Sequence, residues 1–239
     1  MRNIVMAIMA LALSGCVTAT GPEPQQTPPK QPVAAPAPPV VSQNRAARNF
    51  LAVVKRMEPV AERECRHRRA FGSNCDFKIV VDDRKGQAPN AYQKLDNNGR
   101  PVIVFTRALI NQTRNQDELA FVLGHEAAHH IKGHIPKTQQ SAVAGAVVGG
   151  LLAAVLGVDD AGIQEAQRLG GAVGARTYSK EYELEADSLG TIITKHAGYD
   201  PVRGAAFFSR IPDPGNRFLG SHPPNAKRIA VVRRTAAAM

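Results

Sequence analysis

The chain has 239 residues, a formal net charge of +10 and 44% hydrophobic residues. This length is enough for one sizeable domain with its own core, with room for a separate tail. No internal repeat is visible, which excludes repeat architectures. Part of the positive charge lies in the arginine-rich stretch 63–71, a pattern that in a cytosolic protein would suggest nucleic-acid binding.

Residues 1–15 have the features of a secretory signal peptide, with a positive charge ahead of an apolar run that is too short for a spanning helix. The run ends in "LSGC", residues 13–16, which resembles the lipobox of bacterial lipoproteins. The resemblance implies acylation of Cys16, and Val17 after it favours the outer membrane, facing the periplasm. A plain secreted protein with an incidental cysteine is the alternative. For an exported chain we expect no nucleic-acid partner, and the arginines of 63–71 are predicted to be solvated or to face anionic lipid.

A proline-rich segment, residues 16–42, follows the signal and contains almost no large apolar side chains. Such a segment cannot bury enough surface to offset its ordering entropy, so we expect an extended, lipid-anchored tether. The folded domain is predicted to be residues 43–239. It begins with a helical pattern that Pro59 is expected to bend or divide.

Two cysteines, Cys65 and Cys75, lie within this domain. In an oxidising compartment an even pair is most simply a disulfide. A zinc thiolate pair is the competing interpretation, but it lacks the short C-x-x-C spacing and further ligands nearby.

Strand-like patterns at 77–83, 90–95 and 101–106 come before most of the helical patterns. The sequence Asn98-Gly99 lies between the second and the third pattern. An Asn-Gly pair between two such runs predicts a β-hairpin.

Capping residues predict three helices after the strands. Asn115 is expected to begin the first and Gly133 to end it. Residues 179–196 form the second, with Gly198 at its C-terminal end. Asp200, followed by proline, is expected to begin the third.

Residues 141–158 form a run of eighteen residues without a charge. The run is at the lower bound of length for a membrane span and is only weakly hydrophobic. We expect a mobile or amphipathic helical segment near the active-site cleft that could contact lipid. A true span stays open as the alternative.

The sequence "LGHEAAHHIKGH", residues 123–134, contains the pattern H-E-x-x-H. On an α-helix four residues advance the chain by about 400°, so His125 and His129 project from one face and can bind one tetrahedral Zn²⁺. Glu126 lies about 100° away, where it can act as a general base. A buried helix rich in histidine is the structural alternative. His130 and His134 have no spacing to share the metal face and are predicted to pack or to support the ligands.

A catalytic zinc needs a third protein ligand, and the predicted helix 179–196 offers carboxylates for it. Glu183 is the expected ligand. Asp187, one turn later, could accept a hydrogen bond from the other ring nitrogen of a zinc histidine. Glu181 and Glu185 could instead form a solvated acidic face with Glu183.

These motifs together resemble peptidase family M48 of the gluzincins, to which the HtpX heat-shock proteases and the CAAX prenyl endopeptidases belong. The residues that support this resemblance are those of H-E-x-x-H and, further along the chain, S-K-E-Y-E-L-E-A-D at residues 179–187. Lys180 replaces the commoner arginine. The resemblance extends to Asn90-Ala91, which matches the start of the family's substrate-facing strand, and to a late His222-Pro223. It covers about residues 43–228 and is strongest to the small, LoiP-like lipoprotein members.

The resemblance implies an α+β fold, namely a mainly helical zincin domain with a small antiparallel β-sheet or hairpin beside the active-site helix. It implies one Zn²⁺ per chain, Glu126 as the base, and Asn90 and Ala91 as substrate-binding residues. His222 would donate a hydrogen bond to the oxyanion or occupy the open zinc position as a latch. The implied function is a zinc endopeptidase of the bacterial envelope that degrades unfolded or misassembled envelope polypeptides, anchored to the membrane at Cys16. The rivals are a non-catalytic chaperone-like factor and a structural lipoprotein that binds a surface polymer.

Overall fold

The structure, a computed structural model, describes residues 43–68, 73–215 and 222–239. The predicted signal peptide, Cys16 and the tether up to residue 42 lie outside these ranges. The strands in chain order are β1 (Lys78–Asp82), β2 (Ala91–Leu95) and β3 (Pro101–Thr106). The helices are α1 (Gln43–Arg68), α2 (Arg107–Gln112), α3 (Gln116–Ile131), α4 (His134–Val155), α5 (Asp160–Thr177), α6 (Ser179–His196), α7 (Pro201–Ala205) and α8 (Asn225–Ala237), with a 3-10 helix at Ala206–Arg210.

The central helix is α3, which packs against α1, α6 and α7 and carries the H-E-x-x-H residues. Its first turn is capped as predicted, because the side chain of Asn115 accepts a hydrogen bond from the backbone N–H of Glu118. It ends just before Gly133, whose φ of 67° lies in the left-handed region that favours glycine. The predicted bounds of this helix are therefore confirmed.

The described strands form one three-stranded sheet in the order β1-β3-β2, beside α3. The predicted hairpin is confirmed, because β2 and β3 pair antiparallel with Ala91 opposite Phe105, and Gly99 in the turn has a φ of 74°. The sheet is mixed, however, since β1 pairs in parallel with β3, with Lys78 beside Val102. The expected α+β fold with a small sheet beside α3 is confirmed, with the parallel β1-β3 pair in addition to the antiparallel hairpin. β3 is buried along its whole length and β2 is an edge strand.

The first helix, α1, runs through Pro59 without a break, so the expected division does not occur. Its buried face, which includes Val53, Met57 and Ala61, packs into the core and holds the helix together at the proline. Near its end, Cys65 forms a disulfide with Cys75, with a Cα–Cα distance of 5.7 Å. The predicted disulfide is confirmed, and it ties α1 to the segment before β1.

Two glycines allow α3 and α6 to approach closely. A Cβ at Gly124 would lie 2.8 Å from the carbonyl oxygen of Gly190, and a Cβ at Gly190 would lie 2.9 Å from the backbone nitrogen of His125. Real side chains do not tolerate such distances, so both positions need glycine. The close approach brings the carboxylates of α6 next to the histidines of α3.

The predicted helical character of 141–158 is confirmed by α4, which forms a helical hairpin with α5. In the part of the chain that the structure describes, α4 is the one helix whose length and composition would allow it to cross a membrane. The end of α6 and the start of α7 also agree with the sequence. Gly198 has a φ of 79° after α6, and the side chain of Asp200 caps α7.

Candidate metal centre

Three side chains that the sequence singled out converge on one point. The Nε2 atoms of His125 and His129 lie 3.0 Å apart, as expected for residues one helical turn apart on α3. Glu183 on α6 places one carboxylate oxygen 3.3 Å from Nε2 of His129 and the other 3.6 Å from Nε2 of His125. One ligand atom from each residue falls within 4.8 Å of the others, so the three could hold a metal ion.

Asp187 orients the first of these histidines. Its Oδ1 lies 3.0 Å from Nδ1 of His125, the ring nitrogen that faces away from the other ligands. An Nδ1–H that donates to this carboxylate leaves the lone pair on Nε2, where a metal would bind. The position of Asp187 agrees with the sequence prediction.

Arg228 on α8 is a residue that the sequence analysis missed. Its Nε and Nη2 atoms donate to both oxygens of Asp187 at 2.8 and 2.7 Å, and Nη2 lies 3.4 Å from Glu183. The guanidinium is buried over the ring of Phe208. Helical period could have indicated its position, because Arg228 precedes Val232 by one helical turn. Val232 is buried, so Arg228 also lies on the inward face of α8.

His129 has its own support, which comes from His134 at the start of α4. Their Nδ1 atoms lie 2.8 Å apart, and Nε2 of His134 lies 3.1 Å from Oε2 of Glu185. Burial and the nearby His129 outweigh Glu185 and lower the pKa of His134 to about 4, so its ring is neutral at pH 7. A neutral ring that donates from Nε2 to Glu185 must accept at Nδ1. His129 therefore donates from Nδ1 and presents the lone pair of Nε2.

His130 is separate from this arrangement. Its Nε2 lies 2.6 Å from the backbone carbonyl oxygen of Asn74, and its ring packs edge-on against Phe77. Burial lowers the pKa of His130, with a smaller opposing effect from the hydrogen bond to Asn74. His130 thus packs the helix, whereas His134 supports a candidate ligand.

The carboxylates favour positive charge at the centre. Burial and the positive Arg228 lower the pKa of His125, but hydrogen bonds to Asp187 and Glu183 raise it to about 10. Burial alone would raise the pKa of Glu183, yet the surrounding imidazoles hold it well below its usual value. A field that stabilises a proton at this point also stabilises a metal cation.

The residues fit a zinc ion. Two ligand atoms bound about 2.0–2.1 Å from a tetrahedral zinc lie roughly 3.3 Å apart, close to the nitrogen and oxygen spacings of the three side chains. Oε2 of Glu183 is buried without a well-directed hydrogen bond from any described residue, although Nδ1 of His222 lies 3.1 Å from it. Its one guanidinium contact, to Arg228 at 3.4 Å, is longer than a good hydrogen bond, so this buried oxygen remains available to bind a metal cation.

The three side chains lie at the base of a cleft with a volume of about 910 Å³. Glu126 is half-buried and lines it, as does the half-exposed His222, which Pro223 and Pro224 separate from the start of α8. Asn90 and Ala91 also line the cleft, at the start of the edge strand β2. The structure thus brings all the catalytic, metal-binding and substrate-binding candidates of the domain to one cleft.

Gln93 on the same strand is a further residue that sequence reasoning did not identify. It lines the cleft, and its side-chain nitrogen is buried without a hydrogen-bond partner among the described residues. Nothing in the local sequence distinguishes it from an ordinary strand residue.

Comparison with curated proteins gives relatives of low identity. The chain is 31% identical over 124 residues to a putative beta-barrel assembly-enhancing protease of Vibrio cholerae. This alignment covers 48% of this chain and 25% of the relative. It is 28% identical over 131 residues to the mitochondrial metalloendopeptidase OMA1 of Arabidopsis thaliana, which covers 53% and 26%. The beta-barrel assembly-enhancing protease of Escherichia coli is 26% identical over 147 residues, which covers 56% and 30%.

The chain thus aligns with less than a third of the length of each of these relatives. The sequence pattern of Peptidase family M48 matches residues 52–236, which include every candidate residue of the cleft and most of the chain. The resemblance that the motifs indicated is confirmed by this match. The chain therefore belongs to peptidase family M48, and it is a metallopeptidase by family, by motif and by the geometry of its cleft.

Proposed function

We propose that the chain is a zinc-dependent endopeptidase of the bacterial cell envelope that degrades misfolded or misassembled envelope proteins. The observation that carries this proposal is the convergence of His125, His129 and Glu183 beside Glu126 at the base of an open cleft. Asp187 and His134 hold the two imidazoles in the tautomer that binds a metal. One zinc ion per chain is the expected cofactor.

His125, His129 and Glu183 would hold the zinc ion, which would supply an activated water and polarise the scissile carbonyl. Glu126 accepts the proton of the attacking water at its carboxylate and then delivers a proton to the leaving amine. His222, near Glu183 at the rim of the site, donates a hydrogen bond to the developing oxyanion or closes the site as a latch.

The edge strand β2 supplies the proposed binding surface for substrate. Its outer edge has no partner strand in the described sheet and it lines the cleft, so an extended peptide can add to it by main-chain hydrogen bonds. Asn90 and Ala91 begin this edge, and the unpartnered amide of Gln93 can donate to the peptide backbone. Recognition of this kind reads backbone more than side chains and therefore favours unfolded polypeptides.

The envelope location rests on the N-terminal sequence and on the names of the bacterial relatives. Cleavage of a signal peptide at 1–15 and acylation of Cys16 would anchor the chain, and the segment 16–42 would tether the domain of 43–239 to the outer membrane. The relatives named for beta-barrel assembly make misassembled outer-membrane proteins a reasonable class of substrate.

Digestion of an unfolded protein such as casein, with and without a chelator, tests the proposal together with zinc analysis. We expect about one zinc per chain and proteolysis that chelation abolishes and zinc restores. A chain that binds zinc and casein but cuts neither casein nor unfolded envelope proteins would be the chaperone-like factor. A chain that binds no zinc would be neither the zinc endopeptidase nor this zinc-binding chaperone-like factor. A structural lipoprotein would then become the better description.

A further inference from the structure

The helix α4 exposes an unusually apolar face. Its outward side chains are more than half exposed, with Val155 at 84%. The exposed members are Val143, Val147, Val148, Leu151, Leu152 and Val155. Soluble proteins rarely leave so many adjacent large apolar side chains in water, so this face is expected to have a partner.

The contact between α4 and α5 consists of small residues. A Cβ at Gly145 would collide with the carbonyl oxygen of Gly170, and one at Gly149 with that of Ala166. The backbones of the two helices therefore touch. These residues repeat every four positions, so they form one stripe along each helix.

This arrangement is the reverse of a helix pair in water. There, large apolar side chains lie between the helices, because burying them drives association. In lipid, apolar side chains gain nothing by turning inward, and helices associate through small residues with close backbones. The hairpin of α4 and α5 therefore has the construction of a helix pair with an apolar solvent on its α4 side.

The outer side of α5 is different. Gln164, Glu165 and Arg168 are exposed there, and Glu165 pairs with Arg168. By the helical period they lie away from the small-residue stripe that faces α4. Asp159 and Asp160 lie at the tip of the hairpin, where α5 begins. A spanning hairpin would carry these charges into or across the hydrocarbon, whereas a hairpin lying flat keeps them at the headgroups.

Charge favours a lipid surface over other partners. No charged residue occurs on α4 beyond Lys137, which is exposed at its start, and the whole chain is strongly basic. A basic protein with an uncharged apolar face suits a bilayer that contains anionic lipid.

We propose that the hairpin of α4 and α5 docks flat on a lipid bilayer, with the apolar face of α4 among the acyl chains and α5 toward the headgroups. This contact is additional to the lipid anchor at Cys16 and does not depend on it. Ile135 and Thr138 at the start of α4 line the cleft. Docking would thus hold the mouth of the cleft beside the membrane, where polypeptides that fail to insert accumulate.

Tryptophan fluorescence tests the proposal, because the chain contains no Trp. Two variants of the full chain are made, Leu151→Trp and Leu51→Trp. Each is reconstituted in vesicles of phosphatidylethanolamine and phosphatidylglycerol whose acyl chains carry bromine. Leu51 on α1 is a matched control, since it is 67% exposed and Leu151 is 63% exposed. Both variants share the same anchor. We expect blue-shifted emission at position 151 that the bromine quenches roughly twofold or more, and no quenching at position 51.

Other outcomes are equally decisive. Emission at position 151 that matches position 51 would overturn the proposal. A blue shift without quenching would show that protein, a second copy or a substrate, covers the face, and would also overturn it. Adding Val148→Gln and Val155→Gln to Leu151→Trp should remove the quenching while casein digestion in solution stays unchanged. Quenching that persists after Val148→Gln and Val155→Gln would count against the apolar face of α4 as the membrane contact, whatever the level of digestion.

Discussion

The Nδ1 atoms of His129 and His134 lie 2.8 Å apart, and the far side of the His134 ring faces Glu185. This chain of contacts fixes which nitrogen of His129 holds the lone pair. His134 and Glu185 therefore support metal binding by fixing the tautomer of His129, although neither is placed to contact the ion itself.

Replacing His134 with Ala is expected to weaken zinc binding about 10- to 100-fold, because His129 loses the acceptor that fixes its tautomer. Zinc affinity is measured by competition with a chromophoric chelator. His130→Ala is the control, since His130 lies on the same helix as His129 but contacts the carbonyl of Asn74 instead. Equal losses of affinity in both variants would mean that the effect is general destabilisation of the helix.

Changing Glu126 to Gln should retain zinc and reduce proteolysis by about 10² or more. The amide keeps the shape of the side chain but cannot accept the proton of water. Zinc content and casein digestion of the same preparation are the measurements. A variant that lost zinc would show that Glu126 is a ligand and not the base.

Changing Glu183 to Gln should lower the zinc content itself, because an anionic ligand is lost from the centre. Glu181→Gln is the matched control on the same helix, where the side chain is exposed. Should Glu181→Gln lose zinc and Glu183→Gln retain both zinc and activity, the ligand assignment would be wrong.

Replacing Arg228 with Met should destabilise the fold by about 3–5 kcal/mol, because it leaves the fully buried Asp187 without its charged partner. Denaturant unfolding measures the loss. Arg233→Met, at an exposed position of the same helix, should have little effect. An unfolding free energy that is equal in the two variants would show that the buried pair contributes nothing.

Removing the disulfide with Cys65→Ser and Cys75→Ser together should cost about 2–3 kcal/mol of unfolding free energy, as the chain-entropy treatment gives for a short loop. Reduction of the unaltered chain should have the same effect as the double substitution. Two free thiols in the denatured, unreduced protein would contradict the disulfide.

The sequence alone determined the local features of this protein. Helical period placed His125 and His129 on one face, capping residues set both ends of α3, and Asn98-Gly99 specified the hairpin of β2 and β3. These features depend on neighbours within a few positions along the chain. Their physical causes are therefore visible in the residue order.

Only the tertiary structure decided the contacts between distant segments. Arg228 reaches Asp187 across 41 positions of the chain, and β1 pairs in parallel with β3, which no turn signal marks. The outward apolar face of α4 is likewise hidden in a composition that would suit a buried helix equally well. Such contacts depend on how elements pack, and packing is decided by the shape and charge of surfaces that form only when the chain has folded.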